Sequence, residues 1–167
     1  MSKEEQIINS KIKYKGIFDL QELYNMLRGH LMNANWSDPV EGGEKKYAEK
    51  TKPNGKSIEI VWSTSKDEEK GYFKLEISIQ LYINGLNEIE VEKDGKKIKL
   101  DKGDIEVTIK SSITENAKDA WDENSIMFKL YEKYFIKQRI DEVKIDLYNF
   151  SNKTVDEVKK FLELYRF

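Results

Sequence analysis

The chain has 167 residues, 38% hydrophobic and 36% charged, with a formal net charge of -2. That is the profile of a soluble domain able to build a core, neither disordered nor carrying the field that holds a polyanion. It has no cysteine, which excludes disulfides, thiolate-bound zinc and iron–sulfur clusters, and of its 29 basic residues only Arg28, Arg139 and Arg166 are arginines, which argues against specific nucleic-acid readout.

The start, MSKEEQIINSKIKYKG, is polar and lacks the apolar centre of a signal peptide. No run approaches membrane-spanning length. The expectation is therefore a cytoplasmic protein without a membrane span.

Ile8, Ile12, Tyr14 and Gly16 alternate and predict a first strand. An early helix comes next in GIFDLQELYNMLRGHLMNANW. Asp19 and Glu22 form a capping box, and Phe18 and Leu23 a hydrophobic staple. Leu20, Leu23, Tyr24, Leu27, Leu31 and Ala34 make its apolar stripe. Gly29 weakens the middle of this helix and suggests a close backbone neighbour. Pro39 and the Gly42-Gly43 pair end the segment.

A polar strand around Tyr47 leads to PNGKS. This ends like a phosphate-binding loop, but Lys50 stands where that motif needs its first glycine, so it reads as a hairpin turn. Ile58, Ile60 and Trp62 share one strand face. Phe73, Leu75, Ile77, Ile79, Leu81 and Ile83 share another. Asp94-Gly95 suits a type I′ turn that sets Val91 opposite Ile98 and Ile89 opposite Leu100. Lys102-Gly103-Asp104 reads as a second turn before Ile105, Val107, Ile109 and Ile113. The lysines of the hairpin, Lys93, Lys96, Lys97, Lys99 and Lys102, interleave with carboxylates and read as a solvated ribbon.

From Ser125 the period turns helical. Ile126, Met127, Phe128, Leu130, Tyr131, Tyr134 and Phe135 cover a wide arc, and Ile136, Ile140, Val143 and Leu147 lie on nearly the opposite side. Either the helix bends near residues 136–140 or it serves two partners, the sheet first and then another helix or subunit. Thr154 and Glu157 form a second capping box that opens a short terminal helix over 151–167.

The reading is one α+β domain over 1–167. An antiparallel meander of about six to seven strands is covered on one face by an early helix and a long C-terminal helix. In topology, residues 7–148 resemble the helix-grip fold of START-like and polyketide-cyclase-like proteins. That resemblance implies a cavity between sheet and helix for a small apolar ligand. Tyr14-Lys15-Gly16, Phe18-Asp19, Leu23-Tyr24 and Trp62 are also similar to the opening of small uncharacterised archaeal proteins of no known activity.

No residue set meets the requirements of a catalytic site. There is no G-x-G-x-x-G and no G-x-S-x-G, and His30 is the single histidine, without a second one to share a metal. Neither metal nor cofactor is expected. Candidate pocket residues are Tyr24, Met26, His30, Trp36, Trp62, Tyr131 and Tyr134, which combine apolar bodies with polar tips. Ordinary core packing is the competing account of the same residues. Trp121 lies in a polar stretch and suggests a partner contact. Ile136, Ile140, Val143 and Leu147 are the candidate interface, expected to stay exposed in a monomer. Three functions stand as expectations. They are a non-enzymatic interaction module engaging another protein or itself, a carrier of a small apolar ligand, and a structural component of a larger particle.

Overall fold

A computed structural model describes residues 2–116 and 124–164. The order is β1 (Lys3–Phe18), α1 (Leu20–Asn33), β2 (Glu44–Lys52), β3 (Gly55–Glu68), a 3₁₀ turn (Glu69–Gly71), β4 (Phe73–Lys93), β5 (Lys96–Glu115), α2 (Ile126–Tyr131), a π-helical turn (Glu132–Ile136) and α3 (Lys137–Glu163). Among the described residues the strands form one antiparallel sheet in the order β1-β5-β4-β3-β2. An antiparallel sheet with a long C-terminal helix is compatible with a helix-grip arrangement.

Among the described residues the sheet has five long strands rather than six to seven. The segments 84–87 and 102–104, which carry turn residues, lie opposite each other, with Asn84 paired to Asp104 and Asn87 to Lys102. The surplus residues of β4 become a bulge with Gly85 at φ +65°, so both strands bend together instead of reversing. Gly103 is needed there for close approach. A Cβ on it would stand 3.1 Å from the Asn84 carbonyl oxygen and 3.2 Å from Leu86 Cα. The true reversal is at Asp94 and Gly95, whose φ values of 54° and 75° suit a type I′ turn, and Val91 faces Ile98 and Ile89 faces Leu100. PNGKS is a hairpin turn, with Lys52 paired to Gly55.

Alternation along β3, β4 and β5 sends Ile58, Ile60, Trp62, Phe73 through Ile83 at every second position, Ile105, Val107, Ile109 and Ile113 into the core. Leu23, Leu27 and Leu31 of α1 join the same continuous core. Asp19 accepts from the Glu22 amide at 3.0 Å and Asp101 accepts from the Leu20 amide at 3.0 Å, so two of the helix's unpaired donors are satisfied. Asn35 ends the helix at φ 65°. Its amide bonds Met32 O at 3.0 Å and the Trp36 amide bonds Leu31 O at 3.1 Å, the Schellman pattern with asparagine in the left-handed position. The stop therefore comes before Pro39. Gly29 meets nothing within 4 Å of an added Cβ, so it does not serve close packing.

α3 lies against β1 and β5 and touches α1. Its buried stripe runs through Val143, Leu147, Ser151, Thr154, Val155, Val158 and Leu162 without a break. Thr154 opens no separate helix among the described residues, where 151–163 are the last turns of α3. Thr154 donates to Phe150 O at 2.9 Å, a mid-helix back-bond rather than a cap. Where α3 crosses β5, Ser151 Oγ sits 2.8 Å from Ser111 Oγ and donates to Leu147 O at 2.7 Å.

Both outer strands are guarded against edge pairing. β2 carries Lys45, Lys46, Lys50 and Lys52, and β1 carries Lys3, Lys11, Lys13 and Lys15.

Candidate functional site

The seven candidate pocket residues separate into distinct clusters. The first joins α1 to β2 and β3. Glu44, opposite Trp62 in the ladder, places Oε2 2.6 Å from the Tyr24 hydroxyl and 3.2 Å from Trp62 Nε1, both of which donate to it. The Tyr24 and Trp62 rings meet edge to face at 4.7 Å. Burial, then the carboxylate it faces, pushes the Tyr24 phenol up to about 12. This is a neutral phenol and an indole satisfying one carboxylate, with Trp62 wholly inside the core.

The second cluster joins α1 to α3. His30 stacks on Phe150 with ring centroids 4.9 Å apart, and Trp36 stacks on the same ring at 5.7 Å. His30 Nε2 lies 2.8 Å from Thr154 Oγ1. The one hydroxyl proton of Thr154 goes to Phe150 O, so His30 Nε2 carries the proton between them and donates. Burial lowers the imidazole pKa; Glu157 opposes that and Lys153 reinforces it.

This gives the fold a pH dependence. The folded chain resists a proton that the unfolded chain takes up near pH ~6.5. The stability of the native protein relative to His30→Gln is expected to be level above pH ~7 and to fall as pH drops through ~6.5 and on through the lowered folded value. Urea unfolding of the two proteins between pH 7.5 and 5.5 tests this on the order of one pH unit either side of the transition. Parallel curves would show that the histidine is not held neutral.

The third cluster lies at the start of the C-terminal helices. Tyr131 meets Tyr72 edge to face at 6.1 Å and stacks on Phe135 at 5.0 Å. Burial, then Glu69, raises the Tyr131 pKa. Arg139 binds both Glu69 and Glu142, tying α3 to the 3₁₀ turn. Met26 packs on the core apart from these groups, and Tyr134 is exposed with Lys133 Nζ 5.3 Å from its ring centroid. The seven thus do not converge. Five surface hollows, one of about 420 Å³ beside Tyr82, Lys13 and Asn84, are lined by other side chains. Among the described residues no group of three or more His, Asp and Glu side chains is placed to hold a metal ion. Trp121 lies outside the described residues.

The candidate interface is corrected. Ile136, Val143 and Leu147 are buried and Ile140 packs against the core. The two stripes do lie on nearly opposite sides, and it is the later one that points at the sheet. The earlier one points out: Ile126, Met127, Leu130, Tyr134 and Phe135 are between 46% and 76% exposed, while Phe128 alone of α2 is buried.

Glu44, Phe150 and Thr154 were not singled out by sequence. Counting back from the PNGK turn sets Glu44 opposite Ser63; the bulge between Glu44 and Lys46 shifts it to Trp62. His30 and Thr154 are 124 positions apart, and no local pattern links them.

The chain matches no known family profile and no curated protein. An uncharacterized protein from Rhizobium leguminosarum, solved at 1.9 Å, is similar over 92% of this chain and 99% of its own, at 8% identity and a TM-score of 0.20. A likeness of that size carries no functional argument, and the similarity to archaeal proteins gains no support from it. No helix of the described residues is long and apolar enough to cross a membrane.

Proposed function

We propose that the chain is a non-enzymatic protein-interaction module whose contact surface is the outward apolar face of residues 126–135. The observation that carries this is the exposure of five large apolar side chains side by side on one helical segment. Large contiguous apolar patches on a soluble domain mark contact surfaces. The alternative sticky surface, an open strand edge, is blunted by lysines on both sides of the sheet.

A photo-crosslinking residue at Leu130, with a control at Tyr82 on the outer sheet face, tests the reading. Discrete protein adducts through position 130 and none through position 82 are expected. Equal labelling at both positions, or none at 130, would sink it. Sedimentation of the adducts separates a small complex from a component of a larger particle.

A further inference from the structure

Resting on that reading, we infer that the partner is a second copy of this chain, docked antiparallel along its own C-terminal helices. The rod formed by α2, the π turn and α3 carries two apolar patches on its solvent side. The first holds Leu130 and Tyr134, flanked by Lys129 and Lys133. The second holds Ile145 and Tyr148, 58% and 53% exposed, flanked by Asp141 and Asp146. Each patch looks away from the sheet, because Leu130 is two positions from buried Phe128 and Ile145 two from buried Leu147.

The patches carry opposite net charge, with exposed Glu132 offsetting one of the two lysines of the first. Among the described residues, Lys129, Lys133, Asp141 and Asp146 have no ion-pair partner within the chain. Their neighbours do: Glu142 binds Arg139 at 2.7 Å, and Lys144 binds Glu5 at 2.5 Å. The patch centres lie about 14 to 15 residues, or roughly 22 Å, apart along the rod. Two rods laid antiparallel about a twofold axis near position 139 therefore bring the lysine-flanked patch of each copy onto the acid-flanked patch of the other. The contact repeats on both sides of the axis, closes on itself and leaves neither patch uncovered, as an isologous dimer requires. A parallel pairing would set like charge against like. Seven half- to three-quarter-exposed large side chains, at about 100 Å² each, offer about 700 Å² per copy, near what a stable interface uses on each side.

The test is sedimentation equilibrium of purified full chain: wild type, Leu130→Glu, Lys133→Glu, Asp146→Lys and the double charge swap. Wild type is expected to dimerise with a dissociation constant of order micromolar, and Leu130→Glu to sediment as a monomer. Each single charge change is expected to weaken the dimer about tenfold or more, and the swap to recover to within roughly threefold of wild type. All changed positions are exposed, so thermal unfolding measured well below the dimer dissociation constant, where every protein is monomeric, should match wild type and separates loss of contact from loss of fold. A monomeric wild type at about 0.2 mM, or a swap no better than its parent singles, overturns the arrangement. If position 130 nevertheless crosslinks a different protein, the interaction reading survives and only self-pairing falls.

Discussion

Trp62→Ala is expected to cost about 3–5 kcal/mol, and so to lower the melting temperature by roughly 10 °C or more in a domain of this length. The indole is wholly buried, so its loss opens a cavity in the middle of the sheet's apolar face. Tyr24 loses the ring it meets edge to face at 4.7 Å. Glu44 loses one of its two donors while still inside the cluster. Trp62→Phe keeps most of the apolar volume and should cost about 1–2 kcal/mol, chiefly through the missing N–H. Urea unfolding followed by circular dichroism measures both. If the alanine variant lost under about 1 kcal/mol, the site would already hold free space, and a ligand cavity beside Trp62 would have to be considered again.

Gly55→Ala should come next in size, at about 3 kcal/mol. Two separate effects meet at this position. Its φ of +123° is one that side chains with a Cβ rarely adopt. An added Cβ would also stand 2.8 Å from Gly85 C, from Leu86 O and from Asn87 Nδ2, and two of those atoms are backbone within the β4 bulge. The bulge cannot retreat without disturbing its pairing to β5. Gly42→Ala is the internal control. Its φ is +84°, but a Cβ there meets nothing within 4 Å, so it isolates the conformational effect at about 1 kcal/mol. Equal losses for the two variants would show that the close packing of the β2–β3 turn on the bulge contributes nothing.

The parts of the fold legible in sequence were those with short-range causes. Alternation placed the apolar sheet face, and Asp94-Gly95 predicted the register of the hairpin down to the pair Ile89–Leu100. The misreadings share a different cause: one residue pattern served two backbone solutions. Lys102-Gly103-Asp104 signals a turn equally well as a strand that must pass close to a bulge, and the choice depended on residues 84–87 across the ladder. Thr154 with Glu157 resembles a helix start, yet the threonine is equally content to bond the carbonyl four residues back. Asn35 takes the position usually held by glycine, so the end of α1 passed unnoticed. For the site, the aromatic and histidine candidates were identified as individuals. Their grouping depended on how α1 and α3 lie across the sheet, which long-range packing decides. The interface was misassigned because spacing along the helix shows two opposite apolar sides and not which of them meets the sheet, which long-range packing decides.

The π turn separates two kinds of selection acting on one helix. Downstream of it, most large apolar side chains answer to the core; upstream, apart from Phe128 and Tyr131, they answer to whatever touches the outside. Because the turn holds one residue more than an α turn, deletion of a single residue within 132–136 would restore an ordinary α turn and leave the two flanking segments facing as they do. The turn could therefore be gained or lost by one residue without exchanging the buried face of the helix for the exposed one.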